Sequence, residues 1–215
     1  MILRLATAAH VILGGCGHQT QSDSEALAKS TTTIPSGHDA LRISGSLTRG
    51  ESGADLVLTY AIENHGTAPI WVLEQIVTTS REGMVVLPDR VIVRRGPDDA
   101  TASFVIGFTR QPGHAVAIEP PPVAHALAAG ATLTGMKHVP LPLAAWHPYD
   151  SMIDHLVGLP AKALLEFSWL PERPPQGVQG WQDVPAARGG TLHLPSIGFV
   201  GTSVQTSQGP VLGLP

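Results

Sequence analysis

Charge is scarce in this chain of 215 residues: Asp, Glu, Lys and Arg make up 14%, against about 25% in an average globular protein. A net charge of −4 leaves no basic footprint, which excludes nucleic acid as a partner. No cluster of Lys and Arg is present to hold an anionic membrane surface. Aromatic residues are few, at 5%, and cysteine occurs once, so no internal disulfide can form. No apolar run reaches the roughly 20 residues of a membrane helix. Also missing are a G-x-S-x-G elbow, a GK[ST] phosphate loop, an H-E-x-x-H pair and a C-x-x-C pair. No cofactor is implied. What the chain has in quantity is glycine and proline, 23 and 19 residues. Few charges and many turn-formers predict an all-β domain whose solvent face is built from Ser, Thr and Gly. The length suits one domain, able to bury roughly 70% of its unfolded surface.

The single cysteine, Cys16, follows Arg4, a short apolar run over 5–13 interrupted by His10, and the small residues Gly14 and Gly15. That order is the n-region, h-region and small-residue site of an export signal. "LGGC" at 13–16 resembles the lipobox of bacterial lipoproteins at all four positions. The resemblance implies cleavage before Cys16, a diacylglycerol thioether on its sulfur and acylation of the new amino terminus. Two or more acyl chains make a stable membrane anchor where one is marginal. Gly17 stands where such lipoproteins often carry an Asp for inner-membrane retention, so the resemblance favours the outer membrane. Residues 17–39 are polar and without periodicity, the composition of a flexible tether, with a reach on the order of 25 Å. The expected organisation is therefore a signal peptide (1–15), lipidated Cys16 with its linker (16–40), a β domain (41–206) and a C-terminal tail (207–215).

From residue 41 onward, period two dominates. In "DLVLTYAIEN", Leu56, Leu58, Tyr60 and Ile62 share one face, while Val57, Thr59, Ala61 and Glu63 share the other. This is the pattern of a strand with one face on a core. "ENHGTAP" is a turn cluster. Further β-rich runs cover 41–48, 70–77, 84–87 with 91–94, 102–108, 116–118, 132–139, 163–169, 191–194 and 199–204, and "RRGPDD" at 94–99 predicts a hairpin tip. Many short strands separated by turns predict a sandwich or a barrel. In "YDSMIDHLVG", Asp150 or Ser151 as cap, apolar Met152, Ile153, Leu156 and Val157, and a closing Gly158 predict one short helix. "YAIENHGTAPIWV" and "AHALAAGATLTG" resemble pieces of bacterial Ig-like sandwich domains, among them BsuPI-type proteinase inhibitors, which usually carry Pro where this chain has Ala129. The resemblance implies an Ig-like antiparallel β-sandwich and leaves activity open.

Two segments carry candidate chemistry. "WLPERPPQGVQGWQ", 169–182, combines Arg173, Pro174 and Pro175 with Trp181. Its prolines favour polyproline-II backbone, whose ordering cost on binding is low, and an aromatic on such a loop suits contact with a protein or a glycan. "EPPPVAH", 119–125, reads as another proline-stiffened connector, Trp146 as a core plug and "RGGTL", 188–192, as a turn before a strand. The second segment is the polar stretch 136–155, where His147, Asp154 and His155 offer ligands for a hard or borderline cation. Against that, adjacent residues such as Asp154 and His155 do not share a helix face. Three functions follow: a lipid-anchored, non-catalytic envelope module that binds or assembles with another envelope protein; a proteinase-inhibitor-like protein using the 171–182 loop; or a metal-binding or hydrolytic envelope protein using 136–155.

Overall fold

The computed structural model describes residues 30–32, 41–108, 122–148, 156, 160–177 and 179–215. The first sheet contains β1 (Ser30–Thr32), β2 (Leu41–Arg49), β3 (Asp55–Asn64) and β9 (Thr132–Pro140), in the order β1-β2-β3-β9. The second contains β4 (Ile70–Ser80), β5 (Gly83–Leu87), β6 (Ile92–Arg95), β7 (Thr101–Ile106) and β10 (Lys162–Leu170), in the order β5-β4-β10-β7-β6. Two more strands join it, β8 (Val123–Leu127) on β4 and β13 (Gln205–Gly213) on β10. A separate hairpin is formed by β11 (Trp181–Pro185) and β12 (Thr191–Pro195), followed by the helix α1 (Ile197–Ser203). The chain is an all-β sandwich with one short helix among the described residues.

The alternation in β3 sends Leu56, Leu58, Tyr60 and Ile62 into the space between the sheets, each 4% exposed or less. They meet Val72 from β4, Phe104 and Ile106 from β7, and Leu165, Phe167 and Trp169 from β10. Each such side chain contributes about 1.5–3 kcal/mol by leaving water. β10 has no alternation because both of its faces are covered: every residue from Ala163 to Leu170 is buried. On its outer face Leu170 packs with Leu73, Phe108 and Val200 beneath α1. The polar residues on that face are satisfied locally. Arg94 reaches Glu166 at 2.6 Å, and the Ser168 hydroxyl donates to the Phe108 carbonyl.

Several expectations change. β7 runs parallel to β10, so the sandwich is not wholly antiparallel. Residues 199–204, read as a strand, fall largely in α1: the Ser196 hydroxyl accepts from the Phe199 amide as an N-cap, and Val200 turns into the second core. The connectors at 119–125 and 169–182 yield β8 from Val123 and β11 from Trp181. The tail expected at 207–215 is mostly β13, hydrogen-bonded along β10. Its core face is small, since a Cβ on Gly209 would lie 2.7 Å from Ile43 Cγ2. Within the expected 16–40 linker, β1 pairs antiparallel with Ile43–Gly45 of β2. The strand expected at 116–118 lies outside the described residues. So does the helix at 150–157, apart from Leu156, which packs on the main core. The hairpin tip at 94–99 joins β6 to β7.

Candidate partner-binding surface

Beyond the second sheet, the 171–180 loop, the β11–β12 hairpin and α1 form one continuous surface. Gly177, at φ +92°, lets its carbonyl accept from the amides of both Gly180 and Trp181. At Gly180 a side chain is excluded, because a Cβ would sit 1.7 Å from the Pro175 carbonyl oxygen. The loop is therefore folded tightly against itself. It presents Arg173 and Pro175 to solvent and buries Pro174. The Ser196 amide donates to the Gly180 carbonyl and its hydroxyl to the Gln179 carbonyl, which fastens α1 to the loop.

Three rings and one cation stack across this surface. Trp181 lies flat against His193, with centroids 4.6 Å apart and an interplanar angle of 16°. Its other contact is edge-to-face with Trp71 of β4 at 5.6 Å. The Arg173 guanidinium lies 5.9 Å from the Trp71 ring centroid. Each aromatic pair adds about 0.5–1.5 kcal/mol beyond area burial, and an exposed cation over a ring about 0.5–1 kcal/mol. His193 is held in turn by Asp183, at 2.6 Å from Nδ1. Among the described residues the Trp181 indole nitrogen is buried without an acceptor. Beside the stack runs an open groove of about 490 Å³, lined by Pro175, Gln179, Gln182, Ser196, Phe199 and Thr202 together with Gly198. None of these groups is ionisable. Half-buried Phe199 and exposed Pro175 supply apolar walls, and the two glutamines supply amide donors and acceptors.

The structure thus brings together Arg173, Pro175 and Trp181, named from sequence. Trp181 is only 7% exposed, so this surface presents Arg173, Pro175 and His193 to solvent rather than the indole. Trp71 escaped sequence reading because it lies far from the loop in the chain, and His193 because only the pairing of β11 with β12 brings it beside Trp181. The alternation that puts Val72 in the core and Trp71 outside it was the available signal. Of the candidate cation ligands, His147 is buried, while Asp154 and His155 lie outside the described residues. Cys16 lies outside them as well. Among the described residues no group of three or more His, Cys, Asp or Glu side chains is placed to hold a metal. His138 pairs with Asp55 at 2.6 Å, but neither this imidazole nor that of His193 hydrogen-bonds a hydroxyl among the described residues.

A second polar cluster lies inside the sandwich. A bulge in the β4–β8 pairing between Leu73 and Gln75 turns Glu74 inward. There Tyr60 donates to Glu74 Oε1 at 2.6 Å, and the Lys137 ammonium lies 3.8 Å from the same oxygen. Lys137 is 1% exposed and also donates to the carbonyls of Glu74 and Pro88. Burial lowers its pKa, and Glu74 and Asp89 oppose that shift. With its ammonium engaged by carbonyls and a carboxylate, Lys137 ties β9 to β4 and to the residues after β5. Compared with known proteins, the chain matches no family model, no curated protein and no solved structure.

Proposed function

We propose that this chain is a lipid-anchored, non-catalytic module of the bacterial cell envelope. In this reading it binds or assembles with another envelope component through the face carrying Arg173, Pro175, His193 and the adjoining uncharged groove. The observation that carries the proposal is the stack of Arg173, Trp71, Trp181 and His193. It holds an exposed guanidinium and imidazole over rigid aromatic rings, so little side-chain entropy is lost when a partner arrives. The anchor rests on "LGGC" at 13–16 and on the polar stretch that separates it from the sandwich. An inhibitor that inserts Trp181 into an enzyme is less well supported, because that indole is already packed between Trp71 and His193.

Two measurements test the proposal. Metabolic labelling with an alkyne fatty acid should tag the wild-type chain and leave Cys16→Ala untagged; equal labelling of both removes the anchor. For the binding face, a photocrosslinking amino acid is placed in live cells at Arg173 or Gln182, and at exposed Glu51 as a control site. Discrete adducts to one envelope component, from the first two positions and not from Glu51, are the expected result. The same adducts from all three, or none from any, overturn the binding face.

A further inference from the structure

The two edges of the first sheet differ. On one side β1 lies along β2. On the other, β9 pairs with β3 through a register that runs from Thr132 to Pro140, and among the described residues no strand lies along its outer side. The direction of its free groups follows from its two ends. The Ala131 carbonyl accepts from Asn64 at the end of β3, whereas the His138 amide donates away from β3 to the Asp89 carbonyl. Alternation between those points turns the backbone amides and carbonyls of Thr132, Thr134 and Met136 to the outer edge. Their side chains are exposed too, and Met136, at 52%, is one of two large apolar side chains so exposed among the described residues.

Sheet edges are ordinarily guarded by exposed lysine, proline, a bulge or an inward-pointing charge. The 132–136 stretch, "TLTGM", contains no charge and no proline, and its pairing to β3 has no bulge. The one inward charge of the strand, Lys137, is already desolvated and engaged by Glu74 and two carbonyls, so a new neighbour adds no penalty there.

We infer that two copies of this chain pair antiparallel through β9, about a two-fold axis at Thr134, to join their first sheets into one. The edge is self-complementary in this register. Thr134 faces Thr134, and Thr132 of each copy faces Met136 of the other, with no like charges opposed. The length also matches: where Asp89 closes the edge of one copy at His138, the other copy has already turned away at Gly130, which is at φ +74°.

The test uses the full-length chain in mild detergent, with mass read by native mass spectrometry across a concentration series. A dimer is expected. Thr132→Lys or Met136→Glu alone should raise its Kd by about tenfold, since symmetry counts each change twice. Combined, the two changes place opposite charges face to face and should recover the dimer. Val211→Lys, at the other exposed apolar position, should leave it unchanged. Matching thermal melts identify variants that remain folded. A monomer at every concentration, a dimer indifferent to Thr132→Lys, a double variant weaker than either single one, or a dimer lost with Val211→Lys overturns the inference.

Discussion

Tyr60 shows how one residue serves both chemistries of the sandwich. Its ring packs on Phe167 at 5.2 Å inside the core, and its hydroxyl donates to Glu74 across the sheets. Room for that hydroxyl comes from Gly135, where a Cβ would lie 2.1 Å from the Tyr60 oxygen. Burial first, then the hydrogen bond and charge of Glu74, push the phenol far above its ordinary value of 10.0. Above pH 10 the unfolded chain loses the Tyr60 proton while the folded chain keeps it. The unfolded state then binds fewer protons, and stability falls as pH rises. Tyr60→Phe should cost about 1 kcal/mol at neutral pH through the lost hydrogen bond. Because Phe has no proton to lose, the gap between wild type and variant should narrow above pH 10. Urea unfolding at pH 7, 9, 10 and 11 measures this, and a gap constant across the series contradicts it.

At the scale of elements, the β11–β12 hairpin is the smallest sheet, and it leans on aromatic packing. Trp181 is its buried anchor, wedged between Trp71 and His193. Trp181→Ala should cost about 3 kcal/mol, the usual range for deleting a buried aromatic. Trp181→Phe should cost about 1 kcal/mol, because the indole nitrogen has no acceptor to lose and a ring remains in place. Denaturant unfolding of the two variants separates the effects; equal costs would mean that the nitrogen matters. The prolines and tryptophan of this loop were visible in the sequence, and so was β3, because large apolar residues alternate there. α1 was not: Ile197 and Val200 at helical spacing after Ser196 were the signal, but the apolar residues at 197, 199 and 200 also fit a strand. Nor was the Trp71–Trp181 contact, which exists only because β4 and the hairpin fold together. Pairing of distant strands leaves no mark at either one alone.

Across the whole molecule, the least legible element is one of the most connected. β13 reads as a tail because Ser207 and Gly209 occupy its core face, where large residues would announce a strand. The small residues are forced by Ile43, which approaches Gly209, and by Trp169, whose indole nitrogen donates to the Ser207 hydroxyl at 3.0 Å. Leu212, 2% exposed, then closes the main core. Ending the chain after Thr206 would strip the hydrogen-bonding partner from one edge of most of β10, leaving β7 on the other, uncover Leu165 and remove Ser207 from the Trp169 donor. Those losses together approach the 5–15 kcal/mol that an entire domain has to lose. The truncated chain should therefore show no cooperative thermal transition by circular dichroism. Among the described residues, ending after Gly213 removes only the Leu214 amide bond to Ala161, the partial packing of Leu214 and the exposed contact of Arg49 with Pro215. That chain should melt within a few degrees of the full one. A cooperative melt from the chain ending at 206 would show that the sandwich closes without its last strand.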